Sequence, residues 1–111
     1  NIAPRADDVW SHKQLYDVVS HTQIEIESLE KVCKAGQFVD IIRRDIPEGL
    51  LFTWWSYRAR DWKASNRGRR LDHIWLTKDI SPLAHSCKIA TDVRDWDKPS
   101  DHVPVVMEID A

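Results

Sequence analysis

The sequence predicts a mixed α/β domain of the α+β kind, a mostly antiparallel sheet with helices on one face. Three observations predict it. Short stretches rich in β-branched and aromatic residues alternate in polarity through the second half of the chain. One amphipathic run with helix start and stop signals lies ahead of them. With 111 residues, 42% hydrophobic and 31% charged, the chain can build one modest core.

In chain order, Asn1-Ile2-Ala3-Pro4 reads as the end of a strand entering a loop. With no methionine at its head, the chain is expected to be a piece of something longer. Residues 5–21 are polar and irregular and predict a surface loop anchored by Trp10, Leu15, Tyr16 and Val18. Thr22 with Glu25 forms a capping-box signature, and Gly36 is a natural stop. Between them Ile26, Leu29, Val32 and Cys33 fall at helical spacing, which predicts a helix over 23–35. Asp40 can cap a second short helix through Asp45, broken by Pro47 and Gly49.

Leu51–Tyr57 predicts a strand, residues 58–68 a basic loop, and Arg69–Leu76 an antiparallel neighbour strand. In that second strand Leu71, His73 and Trp75 share one side, and Arg70, Asp72, Ile74 and Leu76 the other. A short helix from Thr77 or Ser81 to His85 is expected next. A strand over Cys87–Val93, a loop over Asp95–His102 and a strand over Val103–Ile109 complete the chain. Four strands with helices on one face leave the other face open, so a further piece is expected to cover it.

Charge singles out one stretch. Phe52–Trp75 holds four of six tryptophans and six basic residues (Arg58, Arg60, Lys63, Arg67, Arg69, Arg70) against Asp61 and Asp72. It is net +4 in a chain of net −2 and pI near 6.2, so any nucleic-acid contact must be a patch rather than a coat. Cations interleaved with rings suit a polyanion that also offers bases or sugars. A solvated hairpin with core tryptophans remains the plainer reading. No apolar run is long enough to span a bilayer. Cys33 and Cys87 fit no zinc or redox spacing, which predicts reduced thiols in a cytoplasmic protein.

Chemistry concentrates in Arg70-Leu71-Asp72-His73 and Pro99-Ser100-Asp101-His102. Asp72 at mid-strand needs a partner, because an unpaired buried carboxylate is costly. His102, in a loop before a strand, is the economical one; the pair could activate water or stabilise charge on a phosphoryl oxygen. On these residues alone, a solvated loop with a structural ion pair stays open. His12, His21, His73 and His85 lack ligand spacing, and Ser11, Ser20 and Ser56 lack nucleophile-elbow glycines, so acyl chemistry is unsupported.

The ordered set NIAP, FTWWSYR, NRGRRLDHIW and KPSDHVPV resembles the C-terminal half of bacterial exonuclease III, in the exonuclease–endonuclease–phosphatase superfamily. DVWSHKQL and FVDIIRRDIP are similar to the family's linking segments, so the resemblance covers essentially the whole chain, residues 1–111. It implies half of a four-layer α/β sandwich of the deoxyribonuclease I-like type. It also implies hydrolysis of DNA phosphodiesters with Mg2+ (Mn2+ as a substitute), as a 3′-to-5′ exodeoxyribonuclease and abasic-site endonuclease in base-excision repair. The implied partner is double-stranded DNA with abasic sites or 3′ ends, bound by a monomer without membrane association.

By the same resemblance Asn1 matches the asparagine of an Asp-x-Asn motif, Asp72 and His102 the catalytic pair, and Asp101 a neighbour of the metal. Trp54 and Leu71 match the wall of the pocket for a flipped abasic sugar. Arg58 matches a residue near the DNA groove, while Tyr57, Asn66 and Arg69 are expected phosphate or sugar contacts. Trp55, Trp62 and Trp75 are left to core packing. The family's motif aspartate, metal-binding glutamate and active-site tyrosine match nothing in this chain. This polypeptide alone is therefore expected to be inactive or nearly so. Two other readings are a superfamily phosphodiesterase on a lipid or small phosphoester, and a non-catalytic DNA-binding module.

Overall fold

The computed structural model describes residues 1–110. Among them, short strands pair into three antiparallel ladders of two. These are β1 (Phe38–Asp40) with β4 (Trp75–Thr77), β2 (Trp54–Trp55) with β3 (Gly68–Arg69), and β5 (Ala84–Ile89) with β6 (Val105–Ile109). The helices are α1 (His12–Leu15), α2 (Gln23–Gly36), α3 (Ile41–Asp45) and α4 (Trp62–Ser65), with 3-10 turns at Ala6–Asp8, Ser81–Leu83 and Thr91–Asp95.

Helix α2 starts as its sequence signals. The Thr22 hydroxyl accepts from Glu25 N, and the Glu25 carboxylate accepts in return from Thr22 N at 3.3 Å. Its end differs from expectation. The helix runs through Gly36, and Gln37 takes the left-handed conformation (φ 51). Gly36 is needed for close approach, since a Cβ there would run into the Phe38 ring. Helix α3 begins after Asp40 as expected, but the Asp40 side chain makes no cap bond; it pairs with Arg70 instead.

The expected strands are shorter, and one is divided. The 69–76 strand splits into β3 and β4 because the amides of Leu71 and Asp72 bond to the Thr53 hydroxyl (2.9 and 3.1 Å), not to a neighbouring strand. The loop over 5–21 carries a 3-10 turn and α1. The helix expected to reach His85 is one 3-10 turn, since β5 already holds His85. The third expected strand ends at Ile89, and Thr91–Asp95 coils into another 3-10 turn. In place of one four-stranded sheet, isolated bridges Val9↔Arg69 and Trp54↔His102 widen the β2–β3 ladder on both sides.

That widened ladder carries the core. Ala3, Val9, Leu15 and Leu71 form one cluster, with Trp10 and Trp54 packed on it. Phe52, Trp55 and Val103 form another, flanked by Trp62, Ile89 and Val93. Trp55 is buried as expected, while Trp75 is half-buried against Phe38 (centroids 5.9 Å apart). Cys33 and Cys87 are free, half-buried thiols whose pKa burial pushes up.

Beside the first cluster lies a buried ion group. Arg70, 0% exposed, donates from Nε and Nη2 to Asp8 (2.6 and 3.0 Å) and also binds Asp40 (3.1 and 2.9 Å). Arg43 donates to Asp8 Oδ1 at 2.6 Å. Burial works against the Arg70 charge, but the hydrogen bonds and charges of Asp8 and Asp40 outweigh it and push its pKa up. Arg70 therefore does not belong to the basic surface that its sequence position suggested. Asp8→Ala leaves two guanidinium groups without this partner and should cost about 3–5 kcal/mol in urea unfolding. A loss under about 1 kcal/mol would show that the group is solvated.

His73 adds a pH dependence. Its Nε2 donates to Ile2 O at 2.7 Å, and burial, with the Arg70 charge next, holds its pKa below the ordinary 6.5. The unfolded ring takes up a proton at a higher pH than the folded one. The stability this ring contributes is thus present above about pH 6.5 and falls as pH drops toward the folded value. His73→Gln should flatten the change in urea midpoint between about pH 7.5 and 5.5; an unchanged slope would assign it to other groups.

Candidate active site

The site grows out of Thr53 and Trp54. Thr53 N donates to Arg69 O (2.9 Å) and Thr53 O accepts from Val103 N (2.8 Å), so this residue is fixed from both sides of the ladder. Its buried hydroxyl donates to Asp72 Oδ2 at 2.6 Å while accepting from the amides of Leu71 and Asp72. One donor and two lone pairs are all in use. Asp72 is held in place by these bonds.

His102 reaches the same carboxylate from the other side, with Nδ1 2.8 Å from Asp72 Oδ2. An ionised carboxylate only accepts, so Nδ1 carries the proton and Nε2 is the nitrogen left for a substrate. Both side chains are about one-third exposed, at 34% and 38%, so the pair opens to solvent. The loop ahead of it is pinned: Trp55 N donates to Asp101 O (3.0 Å), Trp54 Nε1 to Asp101 Oδ2 (3.0 Å), and His102 N to Ser100 Oγ (3.1 Å).

Beside Trp54 opens a cleft of about 910 Å3, lined by Trp10, Trp54, Arg58, Arg60, Arg67 and Arg69 among others. Two of its arginines lie over indoles, Arg67 on Trp10 (4.7 Å) and Arg69 on Trp54 (5.4 Å). Among the described residues, none of these four arginines forms an ion pair, whereas Arg43 and Arg70 in the interior do. Asp61 also lines the cleft, with one oxygen spent on Ala64 N at 3.0 Å.

The structure brings Asp72, Asp101, His102 and Trp54 together and puts Arg58 and Arg69 in the adjoining cleft. The other expected contacts lie elsewhere. Tyr57 is exposed, donates to Pro99 O at 2.8 Å and carries Arg94 over its ring (5.2 Å), which steadies the loop before Asp101. Asn66 closes α4 with φ 47, and its Oδ1 accepts from Trp55 Nε1 at 3.0 Å. Leu71 is buried in the cluster on which Trp54 packs. Asn1 is exposed at the head of a segment fastened by the His73 bond to Ile2. Thr53 and the Trp10–Arg67 stack escaped sequence reasoning, because only the ladder register brings them to the site.

Among the described residues no three His, Cys, Asp or Glu gather as a metal-holding group. Asp101 has one engaged oxygen, Oδ2, and Oδ1 remains as a single hard ligand of the kind magnesium takes.

With this geometry in view, comparison with known proteins is decisive for kinship. Residues 1–102 match the Endonuclease/Exonuclease/phosphatase family. The chain belongs to that family. Among curated family members, it is 39% identical over 57 residues to exodeoxyribonuclease III of Haemophilus influenzae, covering 51% of this chain and 21% of that protein. It is 37% identical over 79 residues to an exodeoxyribonuclease of Streptococcus pneumoniae, covering 68% of this chain and 26% of the relative. The matches thus span about a quarter or less of those relatives. A Neisseria 3′ phosphatase bound to a product DNA hairpin superposes over 100% of this chain and 42% of its own, with TM-score 0.92 and 27% identity. An Archaeoglobus fulgidus AP endonuclease gives 0.91 at 28% identity, over 99% of this chain and 42% of its own. The mixed helix and antiparallel-strand architecture is therefore that of exonuclease III-like and AP endonuclease folds.

Thr53→Val in the full-length protein deletes the bond to Asp72 and strands two buried amides. It should lower kcat by about 10–100-fold with KM within about threefold. A rise in KM alone, at constant kcat, would mean that Thr53 does not orient the pair.

Proposed function

We propose that this chain is the C-terminal half of a DNA phosphodiester hydrolase of the endonuclease/exonuclease/phosphatase family, folded as half of a four-layer α/β sandwich. The observation that carries the reading is the open Asp72–His102 pair beside a cleft whose arginines have no ion-pair partner among the described residues. A duplex supplies a row of phosphates to such a cleft. The activity we assign is 3′-to-5′ exonuclease and abasic-site incision of double-stranded DNA in base-excision repair. The names of the relatives, exodeoxyribonuclease III and AP endonuclease, support that assignment.

The chemistry follows from where the protons sit. With Nδ1–H bound to Asp72, neutral His102 offers the Nε2 lone pair to a water, or donates from Nε2 to a phosphoryl oxygen when protonated. Thr53 fixes the carboxylate so that the ring holds one orientation. Asp101 would contribute its Oδ1 to a magnesium or manganese ion, as one ligand of the set. Once bound, the ion supplies charge neutralisation on the phosphoryl group. Asn1 is assigned to the scissile phosphate, Trp54 to the sugar pocket with Leu71 packed behind it, and Arg58 and Arg69 to the DNA backbone.

A phosphodiesterase on a small or lipid phosphoester would share the catalytic pair, but the wide arginine-lined cleft favours a polymer. In the full-length protein, His102→Asn should lower kcat on an abasic duplex by about 10²–10⁴-fold, with DNA Kd within about threefold. EDTA should abolish cleavage and magnesium restore it. Tight, steeply salt-dependent DNA binding without cleavage under any divalent ion would instead make the protein a binding module.

A further inference from the structure

Arg70 and Arg43 are buried against carboxylates; Arg94 is the exception. It is 6% exposed, yet among the described residues it forms no ion pair. The adjacent Asp95 gives its two oxygens to Trp62 Nε1 (3.0 Å) and Lys63 Nζ (2.9 Å). The Arg94 guanidinium has one carbonyl bond, Nη2 to Trp55 O at 3.2 Å, and its Nε is buried without a partner. Two rings lie against it, with the Tyr57 centroid 5.2 Å and the Trp62 centroid 5.6 Å from its Cζ. Burying a charge on these terms is unfavourable, and an apolar side chain of similar length would fill the same space without that penalty. Stability therefore does not explain the charge.

Its neighbours lead to the catalytic pair. Trp55 and Tyr57, the residues it clasps, both hold the loop that ends in His102. Trp55 N donates to Asp101 O at 3.0 Å, and the Tyr57 hydroxyl donates to Pro99 O at 2.8 Å. Arg94 itself stands at the root of that loop, in the 3-10 turn Thr91–Asp95. Root and tip are thus fastened to one segment, Trp55–Tyr57, and His102 meets Asp72 from the position this segment gives it. Resting on the nuclease reading, we propose that Arg94 is a positioning residue for the hydrolysis, its charge aligning His102 with Asp72 at the expense of stability. It is not among the residues that line the arginine-bearing cleft, so it acts on the rate rather than on DNA binding.

Arg94→Met removes the charge and keeps a long side chain. In the full-length protein, with magnesium and an abasic duplex, it should lower kcat about tenfold or more with KM within about threefold. Its thermal midpoint should stay level or rise. Arg94→Lys should recover most of the kcat, because it restores a cation between the rings. Crystal structures read the same geometry without substrate: the 2.8 Å His102–Asp72 bond should persist in the wild type and open beyond hydrogen-bond distance in Arg94→Met. A methionine variant that keeps its kcat, or loses it only in step with a lower midpoint, overturns the proposal. So does an intact pair in its crystals. Tyr57→Phe, which deletes only the bond to Pro99, serves if Arg94→Met does not fold. It should lower kcat about threefold or more, and an unchanged kcat there overturns the proposal. A wild type inactive with magnesium present defeats the nuclease reading, while the crystal comparison still decides whether Arg94 aligns the pair.

Discussion

The structure turns on the requirement that a buried hydroxyl satisfy all its hydrogen-bonding capacity. Thr53, fully out of solvent, links two neighbouring segments through its backbone and spends its side chain on Leu71, Asp72 and the Asp72 carboxylate. Those bonds end the β3 ladder, aim the carboxylate and set its distance to the imidazole carried on the next strand over. A local break in sheet pairing and the positioning of the carboxylate that meets His102 are the same event. For the amides of Leu71 and Asp72 the hydroxyl takes the place of a neighbouring strand.

The arginines divide along the same physical line. Where a guanidinium is buried, as at Arg70 and Arg43, carboxylates meet it, and the group fastens the first residues of the chain to the segment entering the site. Where arginines line the cleft, no such partner is present among the described residues, and indoles take the place of counter-ions at Arg67 and Arg69. A cation stacked on a ring is positioned without being neutralised. That difference separates an arginine neutralised in the interior from one left without a carboxylate in the cleft, and composition does not reveal it: Arg69 and Arg70 are adjacent in sequence.

Several elements were legible because their causes are local. The Thr22–Glu25 capping box and the apolar spacing behind it mark α2, and Asp40 marks the start of α3. The antiparallel pairing of β2 with β3 follows from two aromatic or branched runs joined by a polar loop. The β1–β4 pairing was not legible, since three residues between two helices give no periodic signal. Gly36 shows a local cue with a non-local cause: it reads as a helix stop, yet it is glycine because Phe38 lies against it.

At the site, the sequence alone determined the chemical types: a carboxylate within a basic aromatic stretch, and an imidazole in a loop ahead of a strand. These depend on residue identity and near spacing. Tertiary structure alone decided which groups meet, because register across a ladder is set by long-range packing that no short window contains. It put Trp54 between Arg69 and His102, sent Arg70 inward to Asp8, and placed one threonine hydroxyl where Asp72 needed a donor.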